Sequence, residues 1–148
     1  MKIAVTDAAF QPWHALEAYE QSEVRSAHGS GFGATAVFVG TMRDFNIGDD
    51  VAGMTLEHYP GMTERYLEKI ALAAAERWSL LDALVIHRVG ELLPGEPIVL
   101  VAVWTAHRRE AFEASRYIME ELKSKAPFWK KEKLADGSRW VDNNTDGY

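Results

Sequence analysis

Lys123-Ser124-Lys125-Ala126-Pro127-Phe128-Trp129-Lys130-Lys131-Glu132 decides how this chain is organised. Proline fixes its own φ and has no N–H to give, so Pro127 must stop the helix before it. Upstream, Phe112, Ser115, Met119 and Leu122 recur at helical spacing, which predicts a helix over 108–124 with those residues on one face. Downstream, Phe128-Trp129 predicts a stiff aromatic turn flanked by lysines. Lys123 follows Phe112 by 11 residues, about 20° on the helical wheel. It therefore projects from the core-facing stripe beside Met119, where a lysine must snorkel or line a cavity. A partly buried lysine has a lowered pKa and can act as base or nucleophile. The plainer alternatives are a helix-end lysine bonded to the last carbonyls at Lys123 and a solvated basic loop at Lys130 and Lys131.

The predicted helix starts where another informative run ends. Ile98–Trp104 is continuously apolar, the mark of a strand buried on both faces, and Thr105-Ala106-His107-Arg108 follows it. With Thr105 as N-cap, His107 and Arg108 fall in the first helical turn. Cations there oppose the helix dipole by about 0.3–1 kcal/mol each. The free N–H groups beside them can nevertheless hold an anion. The two helix ends together predict a small anion pocket with a reactive lysine. A surface His-Arg pair bonded to Glu110 is the alternative.

Around this helix the chain alternates short strands and helices. Met1–Thr6, Met54–Tyr59, Leu84–Leu92 and Arg139–Val141 read as strands, and Ala34–Gly40 as a second strand buried on both faces. Pro12 to Ala27 reads as one helix or two short ones, and Met62–Trp78 as an amphipathic helix with apolar residues at 62, 66, 67, 70, 73 and 74. Thr41–Val51 reads as an exposed loop carrying Arg43, and the tail from Asp142 as polar and mobile. The turn Pro94-Gly95-Glu96-Pro97 suggests antiparallel pairing, so the fold class is α+β.

Composition limits the chemistry. At 148 residues, with 47% apolar and 26% charged residues, the chain reads as one domain, 1–148, with one core. It has no cysteine, which removes thiolate nucleophiles, disulfides and cysteine-held metals; any sulfur chemistry needs sulfur from outside. A net charge of −6 argues against general nucleic-acid binding. No signal-peptide pattern and no membrane-length apolar run occur, so the expected place is the cytoplasm. The histidines show no metal-ligand spacing, and His58 and His87 read as structural. The five tryptophans read as core or interface material.

Several stretches resemble one family. GTMRDFN at 40–46, LEHYPGMTE at 56–64, IHRVGEL at 86–92, TAHRREAFEA at 105–114 and LKSKAPFWKKE at 122–132 are similar to the large, catalytic subunit of molybdopterin synthase. The resemblance spans roughly residues 33–141. It implies an α/β hammerhead with an additional antiparallel β-sheet. It implies a central homodimer inside a heterotetramer, with a small ubiquitin-like carrier subunit at each end. The carrier's C-terminal Gly-Gly thiocarboxylate would deliver sulfur to cyclic pyranopterin monophosphate, forming the dithiolene of molybdopterin. By resemblance, Lys123 and Lys130 are the catalytic lysines. Thr41, Met42 and Arg43 form a substrate loop, His107 and Arg108 an anion-binding pair, and Lys131 and Glu132 the wall beside Lys130. No metal or cofactor is expected.

Overall fold

In a computed structural model the described residues are 1–46 and 49–141, without the side chains of residues 45, 46 and 49. Expectations for the tail from Asp142, and for Ile47 and Gly48 of the loop, lie outside them. The elements run β1 (Lys2–Thr6), α1 (Pro12–Tyr19), a π-helical turn (Glu20–Val24), α2 (Arg25–His28), β2 (Ala34–Thr41), β3 (Phe45–Asn46) and β4 (Asp49–His58). They continue with α3 (Met62–Trp78), β5 (Asp82–Arg88), β6 (Gly90–Leu92), β7 (Pro97–Thr105), α4 (Arg108–Lys125), β8 (Phe128–Leu134) and β9 (Gly137–Val141). This is the expected α+β class, and it has two sheets.

The first sheet has the order β1-β5-β7-β2. β1 runs parallel to β5, and β5–β7 and β7–β2 are antiparallel. β7 is central, so its apolar run is buried on both faces as expected, with Val99 through Trp104 at most 1% exposed. One face packs Val85, Val101 and Val103 under α3 and α4, where Leu67, Ile70, Ala114, Ile118 and Leu122 close the core. The other face packs Leu84, Leu100 and Trp104 under α1 and the π-helical turn. Trp104 lies at the centre, with Tyr19 5.6 Å away and its indole N–H donated to Glu20 at 3.0 Å.

The second sheet has the order β3-β4-β8-β9, with β6 also pairing β4. Its inner face buries Met42, Met54, Leu56, Val89 and Leu92. Leu84–Leu92 is thus two strands: the chain leaves the first sheet after Arg88 and joins the second at Gly90, whose φ of +82° suits glycine. The Pro94-Gly95 turn then returns β7 antiparallel to β5.

Several sequence expectations fail for identifiable reasons. Ala34–Gly40 is not buried on both faces, because β2 is an edge strand; Phe38 is 43% exposed. Phe112 is not on the core face of α4 but 68% exposed. The buried stripe is Ala111, Ala114, Ile118, Met119 and Leu122, which overlaps the expected one only at its end. Thr105 does not cap α4: it is the last residue of β7, its hydroxyl donates to the His107 carbonyl at 2.7 Å, and His107 occupies the N-cap. Phe128-Trp129 opens a strand rather than a turn. Of the tryptophans only Trp104 is fully buried, while Trp13, Trp129 and Trp140 are exposed.

Candidate functional site: a lysine pair at the end of α4

The site forms where α4 hands the chain to β8. Pro127 ends the helix at Lys125, and the backbone passes into an extended strand within two residues. Period-two alternation then places Phe128, Lys130, Glu132 and Leu134 on the inner face and Trp129, Lys131 and Lys133 on the outer one. Thr63 fixes this junction. Its hydroxyl, fully buried, donates to the Pro127 carbonyl at 3.1 Å and accepts the Tyr59 N–H at 3.0 Å. The LEHYPGMTE and KAPFWK stretches therefore meet at one hydroxyl.

Lys123 and Lys130 line one pocket of roughly 230 Å³ with Leu56, His87, Ile98 and Phe128. Burial, followed by the charge of Lys130, lowers the Lys123 amine from 10.5 to about 8. Burial also lowers the Lys130 amine; its hydrogen bond to Lys123 and the charge of Glu132 oppose the shift, and Arg43 adds to it. The amines are thus poised so that one can be neutral while the other carries a proton. Met42, 6% exposed, donates to the Glu96 carbonyl and accepts from the Gly95 amide. This ladder holds the Thr41–Arg43 segment against the turn before β7 and sets Arg43 within electrostatic range of Lys130. Thr41 and Arg43 themselves are exposed.

Glu132, 4% exposed, follows Lys130 on the same face and accepts from Arg139 of β9 at 3.3 Å. Lys131 instead faces the far side of the sheet, its ammonium 5.4 Å from the Trp140 ring. It does not continue the wall beside Lys130, because neighbouring strand residues point to opposite faces. His107 and Arg108 are exposed at the other end of α4. At a 1.5 Å rise per residue the helix sets Arg108 and Lys123 about 22 Å apart. A single copy of the chain therefore makes two sites where the sequence suggested one.

His87 is the pocket residue that sequence reasoning set aside. It is 3% exposed and its ring stacks on Phe128 at 3.9 Å and 17°. A signal was present: Ala83 and Val85 alternate onto the helix-facing side of β5, and His87 takes the next place in that apolar column.

A two-sheet α+β domain that gathers two half-buried lysines of lowered pKa in one pocket, with no cysteine, has the framework of an enzyme site suited to anionic or acyl groups. Comparison with known proteins gives the particular family. The family described as "MoaE protein" matches residues 10–125. A molybdopterin synthase catalytic subunit from Pseudomonas aeruginosa is 52% identical over 96% of this chain and 91% of its own length. One from Vibrio cholerae is 55% identical over 79% of this chain and 78% of its own. Among solved structures, a molybdopterin biosynthesis MoaE protein from Burkholderia ambifaria superimposes with a TM-score of 0.78 at 45% identity, covering 98% of this chain and 92% of that one. The chain belongs to the MoaE family of molybdopterin synthase catalytic subunits, enzymes of molybdenum cofactor biosynthesis.

Proposed function

We propose that this chain, in the cytoplasm, transfers sulfur from the C-terminal Gly-Gly thiocarboxylate of a small ubiquitin-like carrier to cyclic pyranopterin monophosphate. The product is the dithiolene of molybdopterin. The observation that carries the proposal is the pocket where Lys123 and Lys130 share burial and mutual charge. As each of two carriers in turn bonds its thiocarboxylate sulfur to a substrate carbon, a protonated Lys130 can polarise the position that receives it. A neutral Lys123 amine can then take a proton from the water that hydrolyses the acyl–sulfur bond, leaving the sulfur on the substrate and freeing the carrier as its carboxylate. No cysteine competes for the sulfur. Arg43, within electrostatic range of Lys130, would neutralise the substrate phosphate.

His107 and Arg108 enter this scheme only through a second copy of the chain. One α4 cannot bring its two ends together, whereas a homodimer can set the first turn of one copy's α4 beside the lysines of the other. The exposed Phe38 on edge strand β2 and Phe112 on α4 offer apolar surface for such a pairing. The assembly is then a homodimer with a carrier docked at each end.

The test mixes the purified chain with a thiocarboxylated carrier and cyclic pyranopterin monophosphate and assays dithiolene. Product is expected, together with a dimer by light scattering of the chain alone. A carrier lacking its Gly-Gly tail should leave the dimer intact and end transfer. No product from the complete mixture, or a monomer at micromolar concentration, would overturn the corresponding half of the proposal.

A further inference from the structure

His87 sits where an apolar side chain would be the simpler choice. Burying a polar ring costs free energy unless its nitrogens find partners or a use. Nδ1 lies 2.8 Å from the Arg88 carbonyl, an acceptor, so Nδ1 must be the protonated nitrogen. The tautomer is thereby fixed, and Nε2 keeps the lone pair. The ring is clamped by its stack on Phe128, two residues before Lys130 on the same inner face of β8. His87, Lys123 and Lys130 all line the one pocket. The charged and titratable groups around them are Lys123 from α4, Lys130 and Glu132 from β8, His58 from β4 and Arg43 from the loop after β2. Burial above all, with the charges of Lys123 and Lys130 adding to it and the bond to the Arg88 carbonyl opposing it, holds the imidazole neutral, at a pKa of about 3.

We infer that His87 is a positioning residue for the lysine pair: its neutral imidazole offers Nε2 to the protonated amine and orients the pair without adding negative charge. The choice of side chain follows from the chemistry. A carboxylate here would bind an ammonium more strongly but would raise the lysine pKa values and suppress the free amine. An apolar ring would leave the amines low in pKa and would remove the neutral acceptor that the imidazole adds to the hydrogen bond they share. A locked neutral imidazole avoids both outcomes. This inference rests on the proposed sulfur transfer for its kinetic consequence, though not for its structural one.

The experiment compares wild type with His87→Phe, which keeps size and stacking but removes the acceptor, and His87→Gln, which keeps a neutral acceptor. Melting curves first establish folding. Single-turnover dithiolene formation is then followed across pH with thiocarboxylated carrier and cyclic pyranopterin monophosphate. In parallel, an amine-reactive reagent labels Lys123, and mass spectrometry gives its labelling rate against pH. His87→Phe is expected to slow turnover roughly 10- to 100-fold, with substrate KM within about two-fold, as a misaimed group does. Its labelling midpoint should fall, since the ammonium has lost a partner. His87→Gln should keep the wild-type midpoint and most of the rate. Wild-type rate and midpoint in His87→Phe would overturn the inference. So would equal rate losses in both variants with the midpoint unmoved, which would mark a packing role. If the wild-type mixture forms no product, the sulfur-transfer reading fails, while the labelling midpoint still decides the role of His87.

Discussion

The two ends of α4 carry the same sign of charge and opposite chemistry. At the first turn, His107 and Arg108 are exposed, so solvent screens them and they can only attract. At the last turn, Lys123 lines a pocket with Leu122, Phe128 and Lys130, and burial moves its amine to about 8. The difference teaches that context, rather than the number of cations, turns a basic residue into an acid–base group. A solvated arginine stays charged at any pH the protein meets. A lysine drawn into a pocket, as Lys123 is, titrates much closer to neutrality.

The sharpest break in the comparison is Lys123→Ala. Product formation should fall by at least about 10²-fold, the scale of losing a general acid–base group. The fold should persist, because relief of the buried charge offsets the packing lost with the side chain. Near-normal dithiolene formation by the folded variant would remove Lys123 from the chemistry.

Arg108→Ala and Arg43→Ala probe the screened end and the surroundings of Lys130, and a smaller effect is expected. Each should weaken binding of the phosphate-bearing substrate by roughly 10-fold at low salt and by less at high salt, as charge screening requires. Calorimetry at two ionic strengths measures this. Unchanged affinity in both variants would assign those arginines to solvent.

How much of this was legible in the sequence differs by element. Ile98–Trp104 was legible on both faces because an unbroken apolar run fits only a central strand. Ala34–Gly40 looks alike but lies at an edge, and no local pattern distinguishes the two; position in a sheet is a tertiary fact. Phe112 misled because its bulk outweighed the small Ala111 and Ala114 that line the buried stripe. Lys123 was still placed well, because it follows Met119 by one helical turn and Met119 is buried. The strand at Phe128–Leu134 was hidden because its inward positions include Lys130 and Glu132, so polarity and burial do not alternate together. The same conflict concealed His87. The candidate site residues were named by resemblance, but their division between the two ends of α4 required the helix to be laid out in space.

A stability measurement sharpens the buried end on its own terms. Lys123 has a folded pKa of about 8 against 10.5 for the free side chain. Between those values the unfolded chain binds more protons, so wild-type stability should rise with pH across that window, and the cost of the buried charge is fully present below it. Lys123→Met should flatten the rise in denaturant midpoint between pH 8 and pH 10.5. At pH 7 it should be more stable by on the order of 1 kcal/mol, allowing for partial solvation. A variant no more stable at pH 7, with the wild-type slope retained, would show that burial does not penalise this charge.

The smallest expected effect comes from Lys131→Ala, and it repeats the comparison over adjacent residues. Lys130 and Lys131 have the same side chain and the same strand, and differ only in the face they occupy. Lys131 rests 5.4 Å from the Trp140 ring on the exposed face, a contact expected to contribute about 0.5–1 kcal/mol. Its removal should cost at most that much stability and leave the dithiolene rate within about two-fold of wild type, because Lys131 points away from the pocket that Lys130 lines. Lys130→Ala, on the inner face, should slow the rate by about 10²-fold or more. The two variants measured side by side isolate the face from the residue type. A large loss of rate in Lys131→Ala with the fold intact would mean that the outer face of the second sheet also meets substrate or carrier, and that the pocket at the end of α4 is only part of the working site.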